Sequence, residues 1–380
     1  MRRLLLGMAA TAVLSACMEP QVAPDLPERP SSEFSLTELA TGLDAPWSVM
    51  PLPDGGAVVT EKSGGILRVS IDGSVAEVNG GPTPYYVDSG NSQAGLFDIV
   101  PARDFATTGN VFISSSYGTA EGNGTALYTA RLDGVMLEDL TEIFRSTPKD
   151  TNAHYGAKIV ALPDGTVALS TGDGFVYREL AQSPDNTMGK VIRVNGDGSI
   201  PSDNPFGNAV WSFGHRNVQG LALDPATGEL WEHEHGPRGG DELNRIERGA
   251  NYGWPVVTTG TDYNGLRISP FESAEGFAPF IHDWVPSVAP SGLVIYRGAL
   301  FPDWQGDALV GALAGQSLRR VDLENGQSVG EEIILGDLNA RIRDVREAPD
   351  GSVWLLTNET GEDGSPAGRL LRLAPDTVVN

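Results

Sequence analysis

Short apolar, β-branched runs broken by polar turns make up most of the chain, and one turn recurs. Leu52-Pro53-Asp54-Gly55 precedes Ala57-Val58-Val59-Thr60 and then Ile66-Leu67-Arg68-Val69, and Leu162-Pro163-Asp164-Gly165 precedes Val167-Ala168-Leu169-Ser170. Pro349-Asp350-Gly351 stands the same way before Val353-Trp354-Leu355-Leu356, with Arg369-Leu370-Leu371-Arg372-Leu373 following. Asp224-Pro225-Ala226-Thr227-Gly228 before Leu230-Trp231 is a variant. Proline presets the first turn dihedral and glycine takes a positive φ, so each phrase predicts a tight turn between antiparallel strands. Long helical periodicity is nearly absent. Evenly spaced short strands with a repeated turn predict an all-β fold, a β-propeller. About 345 residues from Glu33 onward, at ~40–60 per blade, allow six to eight blades. A β-sandwich array explains in-phase turn phrases less well.

The first residues read differently. Met1-Arg2-Arg3 is a short basic region, Leu4 to Val13 is apolar but too short to span a bilayer, and Leu14-Ser15-Ala16-Cys17 closes the stretch with small residues. The pattern is that of a bacterial lipoprotein signal over residues 1–16, with Cys17 left to carry the lipid. Residues 17–33, with prolines at 20, 24, 27 and 30, predict an extended tether. The propeller is then assigned to 34–375 and a tail to 376–380. Cys17 is the only cysteine, so no disulfide can form within the chain. Residue 18 is Met and residue 19 is Glu rather than Asp, so no inner-membrane retention signal is evident and outer-membrane anchoring facing the periplasm is expected.

Charge narrows the partners. The formal net charge of −24 becomes −26 without Arg2 and Arg3, which argues against a nucleic-acid partner, because phosphate binding calls for a basic face. Hydrophobic residues at 40% suffice for a globular core, and no later stretch is apolar enough for a membrane helix.

Candidate chemistry concentrates between Trp211 and Pro255. There an Arg216-Asn217 pair precedes a strand-like run, followed by His233-Glu234-His235-Gly236-Pro237 and the acidic pair Asp241-Glu242. Guanidinium and amide groups hold carboxylates, while carboxylate and carbonyl oxygens hold Ca²⁺, so this density of group types suits an anionic ligand bridged to a hard cation. His215, His233, His235 and His282 are not spaced as an HExxH zinc site.

At this point the chain resembles the glucose/sorbosone dehydrogenase family, and within it the soluble aldose sugar dehydrogenases that use pyrroloquinoline quinone (PQQ) and calcium on a six-bladed propeller. The motifs run in family order from Gly42-Leu43-Asp44-Ala45-Pro46-Trp47, through Gln93-Ala94-Gly95-Leu96-Phe97, His154-Tyr155-Gly156, Gly214-His215-Arg216-Asn217, His235-Gly236-Pro237, Gly240-Asp241-Glu242, Asn251-Tyr252-Gly253-Trp254-Pro255 and Pro286-Ser287-Val288-Ala289-Pro290, to Arg341-Ile342-Arg343-Asp344 and the C-terminal Gly368-Arg369-Leu370. The resemblance implies that His154 is the general base taking the proton of the sugar C1 hydroxyl, a task suited to a neutral imidazole. It implies PQQ contacts from Arg216, Asn217, Ser287, Arg341 and Arg343. It implies Ca²⁺ at the carbonyls of Gly236 and Pro237, a second, structural Ca²⁺ at Glu242 and the Tyr252 carbonyl, and sugar contacts from Gln93 and Tyr263. One departure stands out: Ala314 occupies the position where some relatives carry a lysine able to pair with a PQQ carboxylate.

The resulting expectation is an aldose oxidised to its lactone, with electrons passed to a periplasmic acceptor, by a monomer or homodimer anchored through lipid. A calcium-dependent propeller lactonase and a non-catalytic carbohydrate-binding propeller use overlapping residue types and stay open. Reduction of a dye in the presence of PQQ and Ca²⁺ separates them.

Overall fold

The computed structural model describes residues 34–376. The expected signal, Cys17 and the whole of the tether, like the last four residues, lie outside the described residues. Among those described, the strands form six four-stranded antiparallel sheets set in a ring, a six-bladed propeller. Blade 1 comprises Pro46–Pro51, Ala57–Glu61, Ile66–Val69 and Val75–Glu77, from the axis outward. The innermost strands of blades 2 to 6 are Leu96–Pro101, Ile159–Ala161, Val218–Leu223, Pro290–Ile295 and Ile342–Glu347. The ring closes through Phe34–Leu43, the outermost strand of blade 6, which pairs with Gly368–Pro375 so that Phe34 faces Pro375 and Leu36 faces Leu373.

The recurring turn joins the first and second strands of a blade. Gly55, Gly165 and Gly351 take φ of +82°, +85° and +83°, and their N–H groups donate to the carbonyls of Leu52, Leu162 and Ala348 at 3.1, 3.1 and 2.8 Å. One oxygen of each turn aspartate accepts the N–H two residues on, at 3.0 Å for Asp54 and Asp350 and 2.9 Å for Asp164. The other oxygen meets an arginine on the blade's third strand. Asp164 pairs with Arg193 at 2.6 Å, Asp350 with Arg372 at 2.7 Å, and Asp54 with Arg68. This explains the arginine that follows each turn in the sequence: the pair ties the turn between the two inner strands to the third strand of the same blade.

Among the described residues there is no single core. Consecutive residues of a strand point to opposite faces of its sheet, and in a propeller both faces are covered by neighbouring blades. Val58 therefore packs with Ile99 and Ile113 of blade 2, whereas Val59 packs with Leu356 and Leu370 of blade 6. Ile159 and Val160 divide in the same way between blades 2 and 4. Apolar burial is thus spread over the blade interfaces around the ring.

Near the axis the blades are tied by charge. The Asp344 carboxylate of blade 6 accepts Lys158 Nζ at 2.7 Å on one oxygen, and Arg346 Nε and the Val49 N–H, both at 3.0 Å, on the other. Asp98 of blade 2 accepts Arg346 Nη2 at 2.6 Å, Ser48 Oγ at 2.5 Å and the Ile159 N–H at 2.9 Å. Blades 1, 2, 3 and 6 share this one buried network, with Asp98, Lys158 and Asp344 at or near zero exposure.

Candidate active site

One end of the ring repeats a single backbone contact. The residue just after the second strand of a blade donates its N–H to the carbonyl of the residue just before the first strand. The pairs are Lys62 to Ala45 at 3.1 Å, His235 to Asn217 at 3.1 Å, Leu313 to Ala289 at 2.9 Å and Asn358 to Arg341 at 2.8 Å. All eight residues line one cavity of about 330 Å³, together with Trp47, Gln93, Phe97, Tyr155, Gln219 and Arg343 among others. The propeller geometry therefore brings together positions more than 300 residues apart.

The cavity's charge is one-sided. Lys62, Arg341 and Arg343 line it, and no Asp or Glu is among its described lining residues. His235 adds no charge, because burial pushes its imidazole down to about 3 while Nε2 meets the Pro290 carbonyl at 2.8 Å. Arg343 Nη1 donates to Gln219 Oε1 at 3.2 Å and Ser291 Oγ at 3.1 Å, yet its buried Nε has no partner. Burial and then the neighbouring Arg341 push Arg343 down to about 10. In a chain this acidic, three cations converging on one cavity call for an anion.

Beside the cavity, the loop entering blade 3 carries His154 at φ +52°. Its N–H donates to Gln93 Oε1 at 2.7 Å, and its Nδ1 lies 2.6 Å from Asp173 Oδ1. Asp173 follows the second strand of the same blade, Thr166–Thr171. Burial opposes ionisation of Asp173, but His154 and Arg216 outweigh it and hold the carboxyl below its usual range. An ionised carboxylate only accepts, so Nδ1 carries the proton and Nε2 keeps its lone pair. Asp173 is itself fixed by Trp254 Nε1 at 2.7 Å and the Phe175 N–H at 2.7 Å. Burial lowers the His154 pKa, with Asp173 pulling partly the other way, so the imidazole is neutral at pH 7. Two glycines permit this packing: a Cβ on Gly172 would lie 2.3 Å from the His154 carbonyl oxygen, and one on Gly156 would lie 2.8 Å from Thr171 backbone. Non-glycine residues at positive φ gather here too, at Ala45, His154, Ala157, Phe175 and Ala289, the kind of local strain that a surrounding fold has to hold in place.

Arg216 bridges this region to a second, acidic one. Its Nη1 donates to the carbonyls of His235 and Gly236 at 2.9 and 2.7 Å, its Nη2 to Tyr263 Oη at 3.3 Å, and its guanidinium lies 5.3 Å from the Trp254 ring centroid. Glu234 accepts the N–H groups of Arg216 and of Asn217, the latter at 3.3 Å. Glu234 and Glu242 face each other across paired strands and, with Gly236 and Tyr252, line a small cavity of about 10 Å³, room for one water or ion. Burial and then Glu234 push Glu242 well above the carboxylate range. Ligand atoms of His215, Glu232 and Glu234 lie within 4.8 Å of one another; His215 Nδ1 is 3.5 Å from each carboxylate, and although burial opposes it the two glutamates raise its pKa to about 9, while Glu232 Oε2 is buried without a hydrogen-bond partner. Crowded, desolvated carboxylates of this kind suit a hard cation.

Most of the residues singled out in the sequence thus converge. Gln93, Asn217, Arg341 and Arg343 line the large cavity, while Gly236, Glu242 and Tyr252 line the small one and Arg216 borders it. Pro237 follows Gly236 in the loop between the second and third strands of blade 4. Tyr263 is 59% exposed, its ring 6.2 Å from that of Phe175 beside His154. Ser287 donates its hydroxyl to Asp241 Oδ2 at 2.7 Å, and it is not among the described residues that line the large cavity. Asp241 also accepts the N–H groups of Val288, Ala289 and Gly236 and so organises the turn. Sequence reasoning missed Asp173, Lys62, Glu232 and Glu234 as site residues. Gly172-Asp173-Gly174 directly after a predicted strand was the available signal for the first.

The profile of the Glucose / Sorbosone dehydrogenase family matches residues 43–372. Aldose sugar dehydrogenase YliI of Escherichia coli (strain K12) is 37% identical over 348 residues, which cover 88% of this chain and 91% of that protein. The crystal structure of the soluble aldose sugar dehydrogenase from Escherichia coli in the apo-form superposes with a TM-score of 0.83 at 34% identity, covering 90% of this chain and 99% of that one. The PQQ-bound form of aldose sugar dehydrogenase from Streptomyces coelicolor gives 0.71 at 28% identity, covering 91% and 100%. Over residues 43–372, which take in strands of all six blades, the chain belongs to the glucose/sorbosone dehydrogenase family.

Proposed function

We propose that the protein is a quinoprotein aldose sugar dehydrogenase, which binds PQQ and Ca²⁺ and oxidises C1 of an aldose to the lactone. The observation that carries this reading is a cavity with three cations and no lining acid, set beside a histidine oriented by a buried aspartate. PQQ is a planar tricarboxylate, and Arg341, Arg343 and Asn217 would hold it, with the unpartnered Nε of Arg343 as one free donor. The carbonyls of Gly236 and Pro237 would hold one Ca²⁺, and Glu234, Glu242 and the Tyr252 carbonyl a second. When bound, PQQ supplies a quinone that takes two electrons from the sugar, and Ca²⁺ supplies Lewis-acid polarisation.

The chain's own residues do the rest. Asp173 fixes the His154 tautomer, so Nε2 can accept the C1 hydroxyl proton. Gln93 and Tyr263 present an amide and a phenol to sugar hydroxyls, and Trp254 holds Asp173 in place. The leader further supports export as a lipoprotein anchored through Cys17, with the electron acceptor in the periplasm.

The test is reconstitution. Apo protein given PQQ and Ca²⁺ should reduce a redox dye when an aldose is added, and should do so with neither component omitted. Hydrolysis of lactones without dye reduction would place the chain with the lactonases instead. Sugar binding with neither activity would make it a binding propeller.

A further inference from the structure

The PQQ reading leaves one cavity cation without a task. Lys62 follows the second strand of blade 1, and its backbone makes the same contact that places His235, Leu313 and Asn358 on the cavity in blades 4, 5 and 6. Its Nζ donates to the Ser92 carbonyl, which occupies one of three ammonium hydrogens. The stem is held from behind: a Cβ on Gly95 would lie 2.6 Å from Lys62 Cγ and 2.3 Å from its carbonyl oxygen. The glycine of the Gln93-Ala94-Gly95 motif is thus what gives this lysine its room. Ala314, where a lysine is found in some relatives, is exposed, with its N–H on the Val288 carbonyl at 3.0 Å.

We infer that Lys62 is a cofactor-holding residue, its ammonium pairing with one carboxylate of the tricarboxylate and supplying from blade 1 the cation that Ala314 does not supply from blade 5. The inference rests on the PQQ reading. Three cations then meet three carboxylates, with Arg341 and Arg343 as the other two. Electrostatics agree: burial and then Arg343 lower the Lys62 pKa, which exposed Asp88 offsets only in part. A bound anion would relieve that repulsion.

Equilibrium titration of apo protein with PQQ in saturating Ca²⁺, followed by quenching of tryptophan fluorescence, tests the assignment without reference to turnover. Lys62→Met should weaken PQQ binding about 10- to 100-fold, the loss expected for one charge-assisted contact, and should flatten its salt dependence. Lys62→Arg should restore most of both. The melting temperature of each variant without PQQ should match the wild type, and Lys62→Gln serves as the neutral variant if Lys62→Met does not fold. Wild-type affinity and salt dependence in the neutral variant would overturn the assignment and leave Lys62 as an anchor for Ser92. Failure of the wild type itself to bind PQQ would instead overturn the parent reading, and the role of Lys62 with it.

Discussion

At the scale of single residues, the chemistry depends on a histidine whose two nitrogens have different jobs. His154→Ala should leave PQQ and Ca²⁺ affinity near wild type and lower turnover by about 10²–10⁴, the range for losing a general base. Equal loss of cofactor binding would make the residue structural. Asp173→Asn tests the pairing more finely. In the wild type, burial holds the His154 pKa below 6.5, so kcat/KM should fall with acid only below that value, as the base becomes protonated. Removing the anion takes away the partner that favours imidazolium, so the acid limb should move to still lower pH. The plateau should also drop, on the order of 10²-fold, because the tautomer is no longer fixed. A pH–rate profile reads both, and an acid limb displaced upward would contradict the pairing.

At the scale of elements, the turn phrase is a device for ending one strand and starting the next. Gly165 has φ +85°, and a Cβ there would meet nothing within 4 Å. Gly165→Ala should therefore cost only the left-handed backbone, about 1–2 kcal/mol, seen as a lower denaturant midpoint with turnover unchanged. Gly156→Ala, at φ +65° with Thr171 backbone 2.8 Å away, should cost more and also lower turnover by displacing His154. Strands were legible at this scale because their runs are short and their turns carry Pro, Asp and Gly. The arginine partner of each turn aspartate was legible only as a recurrence, since its reason, a pair across the blade, exists once the strands are in register.

At the scale of the whole molecule, the blades are joined by apolar interfaces at each seam and by the charge network near the axis. Asp344→Asn keeps the shape but leaves Lys158, 1% exposed, without a full counter-charge. It should cost about 3–5 kcal/mol, as breaking a buried ion pair does, measured by denaturant unfolding. Asp350→Asn, whose Arg372 pair is half exposed, should cost about 1 kcal/mol or less. Cys17→Ser should release the protein from membranes without loss of dehydrogenase activity, which fractionation checks. Wild-type protein found entirely soluble in the periplasm would refute the lipid anchor.

Local order was the part that the sequence determined by itself. Turn chemistry is written in adjacent residues, so the all-β architecture and its repeat followed from Pro-Asp-Gly phrases, and the family motifs carried the blade number and named residues that line the two cavities. Tertiary structure decided what sequence distance conceals. His154 and Asp173 are 19 residues apart in chain order and meet because Gly172 and Gly156 let two backbones touch. Glu232, Glu234 and Glu242 form one acidic cluster because two antiparallel strands set them in register. Ser287 lies in the expected motif, yet Asp241 takes its hydroxyl. Lys62 and Arg343, 281 positions apart, face one cavity because the ring brings blade 6 back to blade 1. Spacing along a chain reports which groups are available, whereas closure of the ring fixes which of them share a field.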